Sequence, residues 1–335
     1  MTSYRDAGVD IEAGNRAVDL IRPLAAATQG PQVLAGIGPF SGLFALDTTR
    51  YRAPVLVAST DGVGTKVLLA SEAGRHASIG ADLVNHCVND VLTAGADPLF
   101  FLDYVATGRL DPPIVAELVA GMANACREVN CALLGGETAE MPGLYRPSTY
   151  DIAGFMVGVC ERDALIDGSG IREGDILLAL PSAGLHTNGY SLARQVIPSR
   201  TLSQPIGESG PTVLDALLAP HRCYLEPVRR LREILPIKGL AHITGGGVVG
   251  NLPRILPVGT GARIQRGRWP EPEIFAYLAP FVADDEMWRT FNMGLGMIVV
   301  VDEASAPVAL RLLPGEIFHV GEIVASEQRR VHILE

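Results

Sequence analysis

Apolar positions recur along this 335-residue chain with two periods, one helical and one extended. Residues 9–27 carry Val9, Ile11, Val18, Leu20, Ile21 and Leu24 at near-helical spacing, and Gly30 and Pro31 end the pattern. Residues 33–47 are punctuated by glycine and read as short strands and turns. Val55 to Ala58 then form a short apolar run, a buried strand that stops at Ser59-Thr60-Asp61. A helix is expected over 77–94. Leu83, Val84, Cys87, Val88 and Val91 make its apolar stripe, and Asp82, His86, Asn89, Asp90 and Thr93 fall on the other side. Residues 98–106 read as a buried strand holding one acid, Asp103. Asp111 then caps a helix with Pro112 in its first turn, running to about 129. A short strand over 131–134 ends at Gly135-Gly136, and another strand covers 151–160.

The polar, glycine-rich stretch 165–175 marks a domain boundary, dividing the chain into 1–168 and 169–335. The second half restarts with a strand at 176–180, a glycine loop, and a basic amphipathic helix over 221–235. Further strands are expected at 240–243, 261–265 and 294–301, with helices at 274–282 and 304–313 and a turn at 284–286. A terminal strand pair, 318–324 and 330–334, completes the chain. Strands and helices alternating in both halves predict an α/β (α+β-like) protein of two domains, each a small sheet flanked by helices.

Composition narrows the function. With 48% hydrophobic residues and 37 glycines, the chain fits a compact enzyme with many tight loops. No apolar run approaches the roughly 18 residues that span a bilayer, and the N-terminus has no apolar signal core, so a cytoplasmic protein without a membrane partner is expected. The five cysteines form no C-x-x-C pair, which fits reduced, buried thiols. A formal charge of −10 argues against a nucleic-acid partner. Any anionic substrate must therefore be met by local features.

Such features cluster at strand ends. Asp61-Gly62-Val63-Gly64-Thr65-Lys66 follows a strand and opens a helix. Its backbone N–H groups can face an anion, Asp61 can hold a divalent cation, and Lys66 can neutralise a phosphate. It lacks the Walker A spacing, and the same pattern also describes an ordinary strand–turn–helix corner with a solvated lysine. Gly135-Gly136-Glu137-Thr138 repeats the design. His86 and Asp90 share a helix face that carries no Lys, Arg or Glu, which points to metal or phosphate-water contact, more so for Asp90. His186 stands in a loop among Gly184, Thr187, Asn188 and Gly189, open to a structural or a catalytic reading. Gly245, Gly247 and Gly250 spell G-x-G-x-x-G, but Arg266 and Arg268 follow the next strand where a dinucleotide site wants an acid. A phosphate-binding loop is the better reading.

Together the loops carry more than each alone. DGVGTK at 61–66, NHCVNDVLTAGADPLFFLDY at 85–104, GGETAEMPG at 135–143, GLHTNGYS at 184–191, ITGGG at 243–247 and MWRTFNMGLGM at 287–297 occur in this order. In them the chain resembles the phosphoribosylformylglycinamidine cyclo-ligases, also called aminoimidazole ribonucleotide synthetases, from Tyr4 almost to the C-terminus. The resemblance implies a homodimer formed through N-terminal sheets and a C-terminal domain completing an active-site cleft. It implies ATP and Mg2+ as cofactors, with a monovalent cation left open, and formylglycinamidine ribonucleotide as substrate. Carried onto this sequence, Asp61, Asp90 and Glu137 are the expected metal ligands. Gly62, Gly64, Thr65 and Lys66 would meet ATP phosphates, with Gly135, Gly136 and Thr138 also on the nucleotide. Lys66, His186 and Asn188 would act in catalysis, His186 as proton carrier, and Thr244, Gly245, Gly246 and Gly247 would cradle a substrate phosphate. Residues 199–212 match nothing in the family and receive no role.

The implied reaction transfers the γ-phosphoryl group of ATP to the formyl oxygen of the substrate, and an intramolecular nitrogen then closes the imidazole ring. Positioning and charge neutralisation suffice for such chemistry, so no Ser or Cys nucleophile is needed. Sister ATP enzymes are the nearest alternative: selenophosphate synthetase, thiamine-monophosphate kinase or a hydrogenase-maturation factor. The first of these wants a reactive Cys near the N-terminus, whereas the first Cys here is Cys87. A non-catalytic nucleotide-binding protein would have shed Asp61, Lys66, Asp90 or Glu137, and an oxidoreductase would rest on the G-x-G-x-x-G alone.

Overall fold

The computed structural model describes residues 2–335, which divide into two compact units: residues 2–91 with 96–164, and residues 92–95 with 165–335. No helix among the described residues is long and apolar enough to cross a membrane.

The first unit opens with α1 (Ile11–Ala26), whose first turn is capped by the Asp10 carboxylate accepting from the N–H groups of Glu12 and Ala13. A two-stranded ribbon follows, β1 (Val33–Ala35) with β2 (Leu43–Phe44). Then come β3 (Pro54–Gly62), α2 (Lys66–Ala73), α3 (His76–Leu92), β4 (Asp97–Thr107), α4 (Pro112–Glu128), β5 (Ala132–Glu140) and β6 (Tyr150–Glu161). The four long strands form one sheet in the order β3-β6-β4-β5, with β3 and β5 at opposite edges. Only β4 and β5 run parallel, joined through α4 as a crossover connection requires. Helices α3 and α4 touch backbone to backbone. A Cβ on Gly80 would stand 2.0 Å from the Leu118 carbonyl oxygen, and one on Gly121 would stand 1.9 Å from that of Ala77.

One face of this sheet meets α3, through Phe101 and the flat space left by Gly154. The other carries Leu56, Ala58 and Thr60 of β3 in register with Val159, Val157 and Phe155 of β6, and Leu56 and Phe155 are exposed there.

Two strands are longer than their apolar runs. β3 continues through Asp61 to Gly62 because every residue pairs with β6, and β5 continues through Gly135 and Gly136 to Glu140 because β4 runs alongside. Ladder pairing overrides the weak strand tendency of glycine. The polar side of α3 is not a solvated face, since Asp82, His86 and Asn89 are all buried.

The second unit is built on a six-stranded sheet in the order β12-β9-β11-β7-β10-β8. Its elements are β7 (Ile176–Pro181), α5 (Tyr190–Val196), α6 (Val213–Leu217), α7 (Leu225–Arg232), β8 (Gly239–His242), α8 (Gly247–Asn251), β9 (Thr260–Gln265), α9 (Glu273–Leu278), α10 (Asp284–Thr290), β10 (Leu295–Val301), α11 (Ala306–Leu312), β11 (Phe318–Ala325) and β12 (Val331–Leu334). β7 and β10 each have a strand on both sides and are almost wholly buried, as their unbroken apolar runs require. The acids at 284–286 open α10 and are not a turn, placing three carboxylates at its positive end. The two terminal strands do not pair with each other. Each lies beside β9, β11 antiparallel and β12 parallel. The basic helix is shorter than its pattern and begins only at Leu225. No disulfide joins the five cysteines among the described residues.

Candidate active site

The carboxyl end of β3 and the buried side of α3 make the first cluster. Ser59 and Asp61 alternate onto the helix-facing side of β3. There His86 places Nε2 2.8 Å from Asp61 Oδ2 and 3.9 Å from Asp90 Oδ2, and the Ser59 hydroxyl donates to Asp90 Oδ2 at 2.9 Å. Asp61 Oδ1 also accepts from the Gly62 N–H at 2.7 Å. The Asp61 side chain keeps 44% of its surface and that of Asp90 27%, whereas the His86 side chain keeps 3%. Burial works to raise the Asp61 carboxyl, but the His86 hydrogen bond and charge, with the Gly62 N–H, outweigh it and hold the group below its ordinary value. Burial likewise opposes a charge on His86. The Asp61 hydrogen bond and the charges of Asp61, Asp90 and Asp82 prevail and raise it. Two partly exposed carboxylates around one imidazole form a hard oxygen donor set of the kind that suits Mg2+.

Lys66 does not face this opening. Its side chain is wholly buried, and Nζ lies 2.6 Å from Asp82 Oδ2, itself wholly buried. The phosphate contact expected of Lys66 is not the one seen, because the helix that follows Thr65 turns the lysine inward onto α3.

Glu137 stands apart from Asp61 and Asp90. It pairs with Tyr104 on β5, at the opposite edge of the sheet from β3 and on the opposite face from Asp61. Three strand spacings, roughly 14 Å, separate those edges, too far for one ion. The glycines there do not form a loop like the first one. Gly135, Gly136, Glu137 and Thr138 line an open cavity of about 990 Å³ bordered by α1 and the glycine-punctuated segment 36–44. Asp103 reaches the same cavity beside Gly136, where a Cβ would stand 2.3 Å from Asp103 Oδ1. Burial, helped by the nearby Glu137 charge, pushes the Asp103 carboxyl up to about 7.

In the second unit, the loop between β7 and α5 is held from several sides. Ser182 Oγ donates to Asn292 Oδ1 at 2.8 Å, and Asn292 Nδ2 donates to the Gly184 carbonyl at 2.9 Å. His186 takes a left-handed backbone (φ 60°), and its Nε2 accepts from the Ala183 N–H at 3.1 Å. The ring is 1% exposed and stacks on His221 at 4.1 Å between centroids. His221 lies 3.4 Å from the Thr187 hydroxyl and 3.1 Å from His242 Nε2. Asn188 remains half-exposed, its Oδ1 3.1 Å from where a Cβ on Gly245 would be.

The glycine loop after β8 turns its carbonyls inward. Asn251 Nδ2 donates to the carbonyls of Thr244, Gly245 and Gly247 at 3.3, 3.1 and 2.9 Å. Gly245 and Gly246 lie exposed at the front of the loop, an arrangement open to an anion. β8 runs antiparallel to β10 and α8 is one short turn, so no parallel βαβ unit surrounds the G-x-G-x-x-G.

Several supports were not singled out from the sequence: Ser59, Asp82, Asn251 and the His221–His242 pair. Asp82 had a signal, because 82, 86 and 90 follow one another at helical i,i+4 spacing. Ser59 and the His221–His242 pair had none, since their partners lie 31 and 21 residues away, and no local pattern marks Asn251 as the side chain that gathers three carbonyls of the glycine loop.

Fold and loops together define an AIR-synthase-related protein: the family's N-terminal domain matches residues 49–160 and its C-terminal domain residues 172–333. A phosphoribosylformylglycinamidine cyclo-ligase of Myxococcus xanthus (strain DK1622) is 52% identical, covering 100% of this chain and 99% of that protein. The chain belongs to the phosphoribosylformylglycinamidine cyclo-ligase family and is an ATP-dependent ligase. The same fold occurs in a thiamine-monophosphate kinase from Stenotrophomonas maltophilia K279a (TM-score 0.68, 18% identity, 95% of each chain). It occurs also in the hydrogenase maturation protein HypE in complex with ATP (TM-score 0.66, 19% identity, 94% of this chain and 90% of that one).

Proposed function

We propose that this protein closes the imidazole ring of formylglycinamidine ribonucleotide, giving aminoimidazole ribonucleotide, ADP and phosphate. The observation that carries this reading is end-to-end identity of 52% with a named cyclo-ligase, in a chain whose Asp61–His86–Asp90 cluster is fit for a phosphoryl-transfer metal. The formyl oxygen attacks the γ-phosphorus of ATP, ADP departs, and the activated carbon is then attacked by the substrate's own amine as phosphate leaves.

Asp61 and Asp90 would hold Mg2+, which neutralises charge on the transferred group. Gly64 and Thr65 supply backbone donors beside it, while the Gly62 N–H is held by Asp61 Oδ1. Lys66 is not assigned to a phosphate, since its ammonium is committed to Asp82. Gly135, Gly136 and Thr138 offer the nucleotide a second surface in the β5 cavity, and Glu137 meets the Asp61 ion only if another subunit presents it. That geometry favours a homodimer formed through the exposed outer face of the four-stranded sheet.

In the second unit, Gly245 and Gly246 are the donors best placed for the substrate phosphate, with Thr244 and Gly247 shaping their loop. Asn188 is the polar side chain that borders them. His186 suits loop support better than proton transfer, because a nitrogen that accepts a backbone N–H is not available to take up a proton.

The test is ATP turnover by the purified protein with Mg2+, with and without formylglycinamidine ribonucleotide, followed by mass spectrometry. ADP, phosphate and a product lighter than substrate by one water are expected. Hydrolysis indifferent to that substrate would overturn the assignment.

A further inference from the structure

Asp82 and His86 stand one helical turn apart on α3, and each grips one end of the segment 61–66. His86 meets Asp61 at 2.8 Å where β3 ends, and Asp82 meets Lys66 at 2.6 Å where α2 begins. Between the two anchors, Val63 is fully buried and Gly64 takes φ 57°. The segment is thus pinned at both ends and in its middle.

We propose that Asp82 and His86 are positioning residues that hold this segment in its ligand-ready shape before metal and nucleotide arrive, with Lys66 serving as the anchor of the clamp. The inference rests on the nucleotide reading given above. Donors and carboxylates that are already in place need no reorganisation when charge arrives. A lysine that left for a phosphate would abandon the Asp82 charge in the core, which is far costlier than keeping the pair. The clamp also explains how one helix serves two ends of a loop: residues 82, 86 and 90 lie on one side of α3, so a single rigid body sets Asp61, Asp90 and Lys66 together.

The two roles of Lys66 separate in a double-mutant cycle. Lys66→Met alone strands a buried carboxylate and Asp82→Leu alone strands a buried ammonium, whereas the double variant removes both charges. Binding of the non-hydrolysable analogue AMPPCP with Mg2+ is measured by calorimetry, alongside thermal unfolding. Each single variant should melt earlier and bind AMPPCP at least about tenfold more weakly, and the double variant should regain wild-type binding to within about threefold. A double variant that melts like wild type yet still binds tenfold more weakly would show that Lys66 touches the nucleotide and would overturn the proposal. So would single variants that bind normally.

Should the double variant not fold, the other arm decides. His86→Ala should weaken Mn2+ binding, followed by EPR without nucleotide, by about tenfold, and His86→Asn should restore part of it through its amide donor. Unchanged Mn2+ binding in His86→Ala would refute the clamp. A wild-type protein that binds neither Mn2+ nor AMPPCP would instead refute the nucleotide reading, and the clamp's purpose with it.

Discussion

Lys66 and Asp82 form an ion pair 2.6 Å long in which both side chains are completely buried. A motif lysine that reads as a phosphate ligand is thereby part of the core. Such pairs add little net stability, but breaking one from a single side is strongly destabilising. The loop that Lys66 closes inherits that rigidity.

Asp61 and Asp90 should be the residues on which metal use depends. Replacing either by Asn is expected to lower kcat by about 10²–10³-fold and to raise the Mg2+ concentration needed for half-maximal rate. The fold should survive, because both side chains are partly exposed. A Mg2+ titration of steady-state turnover decides it, and an unchanged midpoint would remove these residues from the metal site.

His186 should behave as a loop support. His186→Ala should cut turnover and raise the KM for formylglycinamidine ribonucleotide while leaving AMPPCP binding intact. His186→Asn can be compared over pH, since an amide oxygen can still accept the Ala183 N–H. If the variant loses a limb of the kcat/KM profile that wild type shows, the histidine moves a proton after all.

Asp103 sets a pH dependence of stability. Its carboxyl is pushed from an ordinary 3.8 up to about 7 by burial. The unfolded chain therefore ionises this group from about pH 4, and the folded chain only near 7. Stability relative to Asp103→Asn is expected to fall as pH rises through that interval and to level off above it, the difference reaching on the order of 4 kcal/mol. Urea unfolding of both proteins at pH 4.5, 6 and 8 tests the sign. Parallel curves would mean that Asp103 titrates normally.

Gly247 has φ 61°, and a Cβ there would lie 2.0 Å from the Trp288 carbonyl oxygen. Gly247→Ala should cost at least about 2 kcal/mol of stability and loosen the glycine loop. Chemical denaturation reports the first effect and the substrate KM the second. Gly250→Ala is the control, because nothing lies within 4 Å of its position and its φ is not left-handed.

Phe155 and Leu56 lie exposed on the outer sheet face. Phe155→Arg should convert a dimer into monomers in sedimentation velocity without lowering the melting temperature of the separate chain. A wild-type protein that sediments as a monomer at micromolar concentration would rule out this face as the dimer contact.

The sequence by itself determined most of the strands and long helices and the loops on which family membership rests. Those properties are local: hydrophobic period, glycine placement and short motifs are written within a few residues of one another. It also set His86 and Asp90 on one face of a helix, since they are i,i+4 neighbours, while the pairing of Asp61 with Asp90 came from the family resemblance. Only the tertiary structure decided which way Lys66 turns, that Glu137 lies at the far edge of the sheet from Asp61, and that the double glycine continues a strand. The same holds for His221 against His186. Each of these depends on strand order and helix packing, which join residues tens of positions apart and leave no mark in the local pattern.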